Sequence, residues 1–304
     1  MAYKAFVKPR RAGTEKIMIA LVINPTAGTG HAERVGREIV SILEEKKADF
    51  ITLFTTHAGE GEDLARQAVA QGAETVYAVG GDGTVLEVAR GLRGTGAALG
   101  IIPAGTGNDV IKTLGIPKDP REALAYQLER APRALDAMAV NGSLSLNVAG
   151  TGFDVCVLDH AEKAKKFVRG LLPYLWGVLC TIVSYRGREM RVTIDGDSFV
   201  KKMLVICAGN GRYIGGGIPM VPMAEPDDGL LTVVAIDDLP NWEMPFQLLK
   251  LLKGKVLKIP GAVARTCRRL EIACEGMRVN VDGEIIPMNR AEIEILPGEL
   301  TARW

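Results

Sequence analysis

The chain has 304 residues, room for one large domain or two modest ones. Its 37 Lys and Arg nearly balance its 36 Asp and Glu, a net charge of +1, so the overall charge does not point to nucleic acid and any basic surface has to be local. The five cysteines (Cys156, Cys180, Cys207, Cys267, Cys274) form no CxxC pair and the three histidines are scattered, which argues against a zinc centre and for reduced thiols in a cytoplasmic protein.

In chain order, a basic lead-in (Lys4, Lys8, Arg10, Arg11, Lys16) precedes the apolar run Ile17–Ile23. The run is too short for a signal peptide and passes straight into Asn24-Pro25-Thr26-Ala27-Gly28-Thr29-Gly30, so it reads as a first strand. The lead-in reads as a solvated arm, with contact to anionic headgroups as the alternative. Further strands are predicted near 50–54, 76–79 and 99–102, and helices near 31–46, 60–71, 84–92, 107–113 and 120–130. Such βαβα alternation calls for a parallel sheet covered on both faces.

From Ala134 the pattern changes. Short β-like runs recur at 137–140, 144–148, 191–194, 202–207, 231–235, 270–273, 278–281 and 291–295. Asn141-Gly142, Asp195-Gly196, Asp228-Gly229 and Asp282-Gly283 supply turn signals between them. This is the signature of an antiparallel sandwich, interrupted by helical segments near 158–184 and 241–253. The longest apolar stretch, Gly170 to Tyr185, contains Pro173 and is shorter than the roughly 18–20 residues of a membrane span. Lys163-Ala164-Lys165-Lys166-Phe167-Val168-Arg169, followed by Leu171, Leu172, Tyr174, Leu175 and Trp176, suits a helix at a headgroup layer, and equally a core helix with a solvated basic end.

Three glycine-rich turns carry the chemistry. Each follows a short apolar strand: Asn24 to Gly30, Gly80-Gly81-Asp82-Gly83-Thr84, and Pro103-Ala104-Gly105-Thr106-Gly107-Asn108-Asp109. A glycine turn opening a helix presents backbone N–H groups and the positive end of the helix dipole to an anion. Three of them would line the carboxyl edge of one parallel sheet, where ligands bind in open α/β folds. Asp82 would repel phosphate directly, which suggests Mg²⁺ or a polar network between the two.

Taken together, NPTAG, GGDGT and PAGTGNDV, in this order, resemble the catalytic domain of diacylglycerol kinases, sphingosine and ceramide kinases and bacterial lipid kinases. The resemblance continues through Asn147–Asp154, Gly215-Gly216-Gly217, Asp228-Gly229-Leu230 and Val281-Asp282-Gly283-Glu284. It implies an N-terminal α/β nucleotide-binding domain with a parallel sheet (1–135, residues 291–304 returning to it) and a mainly antiparallel β-sandwich lipid-substrate domain (136–290).

The resemblance also implies site residues. ATP would meet Asn24, Pro25, Thr26, Ala27, Gly28, Thr55 or Thr56, Gly81, Asp82, Gly83, Thr84, Glu87, Thr106 and Asn108. A Mg²⁺–water network would gather Asp82, Asp109 and Asp136, and a structural Mg²⁺ would sit on Glu225, Asp228 and the backbone of Leu230. Asp282 is the implied base for the acceptor hydroxyl, with Glu284 assisting and Asp82 completing the catalytic set. From the residues alone, either threonine could bond its own strand end, Asp109 could cap a helix, Asp136 could sit in a surface turn, and Asp282-Gly283 could be a hairpin turn. Leu86 stands where many bacterial relatives have Asn.

The implied activity is ATP- and Mg²⁺-dependent phosphorylation of a lipid alcohol, diacylglycerol first, by a cytoplasmic protein acting transiently at the inner membrane surface. Peripheral membrane contact and a homodimer are compatible with the sequence, and no nucleic-acid partner is implied. Two other readings stay open: a kinase for a soluble acceptor such as NAD, and a nucleotide-binding regulator without turnover.

Overall fold

A computed structural model of the chain describes residues 6–7, 18–165 and 172–304. Lys4, Lys8, Arg10, Arg11 and Lys16 lie outside the described residues, as do Lys166–Leu171 and the side chains of 161–165 and 172–175. The chain divides into two compact units, Met1–Asp136 with Pro297–Trp304, and Ala137–Leu296.

In the first unit the elements run β1 (Phe6–Val7), β2 (Met18–Ile23), α1 (Ala27–Glu45), β3 (Asp49–Phe54), α2 (Glu60–Ala70), β4 (Thr75–Gly80), α3 (Asp82–Leu92), β5 (Ala98–Pro103), α4 (Asp109–Leu114) and α5 (Pro120–Leu128). Every residue of β2, β4 and β5 is buried, the mark of strands covered on both faces. They pair in parallel in the order β3-β2-β4-β5, and β1 adds an antiparallel edge on β3. The chain moves outward from β2 to β3, crosses back to β4 and continues to β5. The direction therefore reverses between β2 and β4, the place where open α/β sheets bind ligands beyond the strand ends.

α1 buries Ala32, Val35, Ile39 and Leu43, one stripe at helical spacing, against Leu21, Ile23, Tyr77 and Ile102. On the other side of β5, Thr301 and Ala302 return in parallel beside Ala98 and Leu99. The amide of the buried Gln127 takes over where that pairing ends: its Oε1 accepts from Ile101 N (2.8 Å) and its Nε2 donates to Ile101 O (2.7 Å). Arg303 locks the C-terminus by donating to Thr75 Oγ1 and the Arg130 carbonyl, and Arg133 stacks on the Trp304 ring.

The second unit is strand-rich. Its elements are β6 (Arg133–Val140), β7 (Ser143–Ser145), β8 (Val148–Gly152), α6 (Phe153–Lys165), α7 (Leu172–Ser184), β9 (Arg188–Ile194), β10 (Asp197–Gly209), β11 (Leu231–Asp237), α8 (Met244–Leu252), a short 3-10 turn (Val256–Lys258), β12 (Ala262–Cys267), β13 (Arg269–Val281) and β14 (Glu284–Ala302). Pairing among them is antiparallel. β9, β10, β8 and β13 pair in a closed ring, because the two long strands serve two neighbours each. The first half of β10 pairs with β9 and the second with β8, and β13 divides the same way.

Met138, Met190, Val192, Ile206, Leu270, Ile272, Val279 and Ile293 form one core. A second core lies between Leu204, Val205, Val234 and Ile236 on the strands and Met220, Met244 and Val256 opposite them. Asn141-Gly142, Asp195-Gly196 and Asp282-Gly283 all have positive φ at both residues, the geometry of two-residue hairpin turns.

Candidate functional site: a glycine-lined sheet edge and an apolar cavity

The three glycine turns of the first unit come together at the ends of β2, β4 and β5. Asn24 N donates to Val79 O (3.1 Å) and Asn24 Nδ2 to Thr84 Oγ1 (3.1 Å), joining the first turn to the second. Ala104 N donates to Gly80 O (2.9 Å), joining the second to the third. Glycine is required at these contacts: a Cβ on Gly28 would lie 2.3 Å from Ala104 O, and one on Gly105 2.3 Å from Gly81 Cα. Gly28, Thr29 and Gly30 are all left-handed, so α1 enters through a kink and its regular stretch begins later than Ala27.

In α3 the first helical bond runs from Val85 N to Gly81 O, leaving the N–H groups of Asp82, Gly83 and Thr84 outside the helical ladder. That is a phosphate-sized set of donors at a helix N-terminus. Asn24 Oδ1 accepts from Thr26 N and Oγ1, holding the first turn, with Pro25 and Ala27 inside it. Thr106 stands exposed beside them.

Several residues implied by the resemblance are structurally committed. Glu87 accepts from Gly59 N (2.8 Å) and Gly61 N (3.0 Å), so its carboxylate holds the start of α2. Thr56 donates through N and Oγ1 to Glu60, and these two bonds hold that carboxyl below its ordinary range. Thr55 is buried and its N–H pairs with Ile23 O, a strand-end contact. Asn108 closes its own turn by exchanging bonds with the Gly105 backbone.

Asp82 Oδ1 accepts from Asp109 N (2.7 Å) and Val110 N (3.1 Å), capping α4 from outside. Burial holds the Asp82 carboxyl above the usual carboxylate range, the Asp109 charge adds to this, and the N–H donors of α4 oppose it. Asp109, itself buried, pairs with Lys112 at 2.8 Å. A hydrated Mg²⁺ that binds through one or two carboxylates and a nucleotide's phosphates suits this pair.

Asp82, Asp109 and Asp136 are not assembled as one set among the described residues. Among the described residues no three His, Cys, Asp or Glu side chains converge as a metal cage. Asp136 Oδ1 accepts from Gly298 N (2.7 Å), so Asp136 anchors the returning C-terminal segment. Glu225 is ion-paired with Arg212, and Asp228 Oδ1 accepts from Leu230 N within a turn.

In the second unit, Asp282 sits at the tip of the β13–β14 hairpin with φ +50°. Its Oδ2 accepts from Leu146 N (2.9 Å) and its Oδ1 from Asn147 N (3.0 Å) and Val148 N (3.2 Å). Burial pushes this carboxyl up while the N–H donors counter it. The carboxylate clamps the β7–β8 connection, an assignment that competes with the role of base. The side chain of Glu284, two residues on, is exposed and has no hydrogen-bond partner among the described residues.

The motifs did not disclose a cavity of about 110 Å³ in the second unit. Val157, Leu204, Val205, Met220, Leu251 and Ile259 are among its walls, and Asp154 and Asn280 lie at a polar end. Asn280 Nδ2 donates to Asp154 Oδ2 (3.3 Å), while Asp154 Oδ1 is buried without a partner and burial raises the carboxyl's pKa. Apolar cavities of about 150 Å³ stay dry and bind small hydrocarbons. The partial sequence signal was Gly152-Phe153-Asp154, but only the fold brings α6, α8 and β10 to one space.

An α/β unit with a glycine-lined sheet edge, followed by a strand-rich unit with an apolar cavity, defines a two-domain class of protein. Residues 18–140 match the family described as "Diacylglycerol kinase catalytic domain", and residues 147–302 match the "YegS C-terminal NAD kinase beta sandwich-like domain". The chain is similar to the "Probable lipid kinase YegS-like" of Pseudomonas aeruginosa (34% identical over 278 residues, 89% of this chain and 91% of the relative). It is also similar to the "Diacylglycerol kinase" of Mycobacterium tuberculosis (28% over 289 residues, 93% of each). A solved diacylglycerol kinase structure from Bacillus anthracis shares its fold with a TM-score of 0.72 at 23% identity, covering 96% of this chain and 98% of that one. The chain belongs to the diacylglycerol kinase and YegS-like lipid kinase family.

Proposed function

We propose that the chain transfers the γ-phosphate of ATP to the hydroxyl of a lipid, with diacylglycerol the first acceptor to test. The apolar cavity, with the Asp154 carboxyl among its lining residues, carries the choice of a lipid over a soluble acceptor. The free N–H groups of Asp82, Gly83 and Thr84, with Asn24 and Thr26 beside them, bind and orient the phosphates. Asp82 and Asp109 would hold Mg²⁺, which when bound neutralises phosphate charge. Asp154 accepts a hydrogen bond from the acceptor's polar head, and the cavity walls take the start of its chain.

Glu284, not Asp282, is the carboxylate with an oxygen available to take the hydroxyl proton. Asp282 is the positioning residue that fixes the hairpin carrying it. Most of the acceleration then comes from alignment and electrostatics, since an ordinary carboxylate is a weak base towards an alcohol.

Transfer of labelled phosphate from Mg-ATP to a panel of lipids in mixed micelles, with NAD alongside, tests the reading. Label in a lipid lane is expected. Label in the NAD lane alone would overturn the choice of acceptor, and ATP binding without transfer to any alcohol would favour a regulator.

A further inference from the structure

In the second unit, the described part of α7 (176–184) and α8 each turn one face inward and carry exposed residues on the other. Val178 of α7 and Met244, Leu248 and Leu251 of α8 line the cavity. On the opposite face of α7, Trp176, Leu179 and Val183 are exposed at spacings of three and four residues, Val183 to 75%. Trp242, Phe246 and Leu249 repeat the pattern into α8, with Trp242 exposed to 72% and Phe246 to 64%. Asn241 Nδ2 donates to the carbonyls of Ile182 and Val183, tying the end of α7 to the start of α8 and setting Val183 beside the Trp242 segment. Scattered exposed apolar residues are ordinary, but two stripes of large apolar side chains on helices tied together through Asn241 offer an apolar surface.

The chain that follows supplies the charge. Lys250-Leu251-Leu252-Lys253-Gly254-Lys255-Val256-Leu257-Lys258 holds four lysines and no acid. Lys253, Lys255 and Lys258 are exposed and have no carboxylate partner among the described residues, whereas Lys201 and Lys202 are paired with Asp237 and Asp238. Leu252 and Leu257 stand exposed among them, Leu252 just before Lys253 and Leu257 between Lys255 and Lys258. Aromatic and leucine side chains flanked by unneutralised lysines match the interface of an anionic bilayer, where the rings enter the headgroup layer and the lysines meet lipid phosphates. Protein–protein interfaces are depleted in lysine, so the unpaired lysines beside this stripe favour lipid phosphates over a protein partner.

We infer that the outer faces of α7 and α8, with the lysines of 253–258, dock the protein on an anionic membrane surface, and that the acceptor cavity lies one helix layer beneath that contact. The inference goes beyond the lipid-kinase reading and uses it only to name the cavity. The two can fail separately, because membrane binding is read without ATP and transfer is read in detergent micelles.

The test uses the full chain with vesicles of neutral phosphatidylcholine, and with vesicles containing phosphatidylglycerol, followed by co-sedimentation and Trp emission. Expected are binding to the anionic vesicles, a blue shift of Trp242 and Trp176 emission, and release by salt. Trp242→Ser with Phe246→Ser is expected to weaken binding at least tenfold. Each of Lys253→Gln, Lys255→Gln and Lys258→Gln is expected to cost roughly fivefold. All should keep wild-type melting and wild-type activity in mixed micelles. Equal pelleting of wild type and variants would overturn the inference, as would absence of the wild type from both pellets. A homodimer that Trp242→Ser with Phe246→Ser dissociates, with vesicle binding unchanged, would assign the face to a second copy and overturn it too.

Discussion

The carboxylate of Asp82 caps the helix that begins at Asp109, with Oδ1 accepting the Asp109 N–H at 2.7 Å. The second glycine turn is thereby bonded to the end of the third, and the six-residue α4 depends on a side chain 27 positions earlier. Removing such a cap costs about 1–2 kcal/mol. Asp82→Ala is expected to lower the melting temperature by several degrees and to abolish transfer, whereas Asp82→Asn keeps an acceptor for α4 and loses only the charge. An Asp82→Ala protein that melts as wild type and still transfers phosphate would refute both roles.

The same residue gives a pH signature. Burial, and then the Asp109 charge, raise the folded-state pKa of Asp82 above its ordinary 3.8. A carboxyl raised on folding binds its proton more tightly in the native state, so its contribution to stability is greatest at low pH and declines as pH rises through the shifted value. Wild type should therefore lose stability relative to Asp82→Asn from about pH 4 upward, then level off. Melting curves of the two proteins across that range check it. The opposite trend would mean that the α4 N–H donors outweigh burial.

Contact between the glycine turns is steric and can be broken by one methyl group. Gly105→Ala would drive a Cβ to 2.3 Å from Gly81 Cα, a backbone neighbour unable to move aside like a side chain. It is expected to cost ATP affinity at least tenfold. Gly83→Ala, where a Cβ would meet nothing within 4 Å, should bind ATP nearly as wild type. Calorimetric titration of both variants with ATP distinguishes crowding from a general intolerance of side chains.

Asp282 and Glu284 should separate stability from catalysis. Asp282→Ala leaves the N–H groups of Leu146, Asn147 and Val148 without their acceptor, and each buried unpaired donor costs about 1–3 kcal/mol. The variant is expected to be strongly destabilised. Glu284→Gln should melt as wild type and lose about 10²–10⁴-fold in kcat, the range for a general base. A stable but inactive Asp282→Ala beside a fully active Glu284→Gln would restore Asp282 as the base.

The parallel strands were legible almost to the residue, because β2, β4 and β5 are uniform apolar runs bounded by glycine turns. The hairpins were legible through Asn-Gly and Asp-Gly. β12, with the sequence Ala-Val-Ala-Arg-Thr-Cys, gave no signal because most of it is exposed. The runs at 270–273 and 278–281 are one strand, β13, whose register shift between Ala273 and Met277 falls at a polar interruption. The start of α1 was placed at 31 because Gly28-Thr29-Gly30 breaks the helical pattern, as its left-handed backbone does. Motifs found the residues at the sheet edge but could not tell a carboxylate spent on backbone N–H groups, as in Glu87 and Asp282, from one free to meet a ligand. That distinction depends on partners far away in sequence.

The cavity makes the last prediction, which concerns the acceptor alone. Leu204 on β10 is one of its walls, and Asp154 lines it beside Asn280. Leu204→Phe adds volume to a space of about 110 Å³ and should cost about 1–3 kcal/mol of stability where the ring overpacks. It should raise KM for long-chain acceptors more than for short-chain ones and leave KM for ATP unchanged. Asp154→Asn keeps the size and the bond to Asn280 but replaces one acceptor oxygen by a donor, so it should raise acceptor KM for every chain length alike. Steady-state kinetics with acceptors of graded chain length separate the two patterns. If Leu204→Phe altered all chain lengths equally, or shifted KM for ATP, the cavity would not be where the acceptor chain lies.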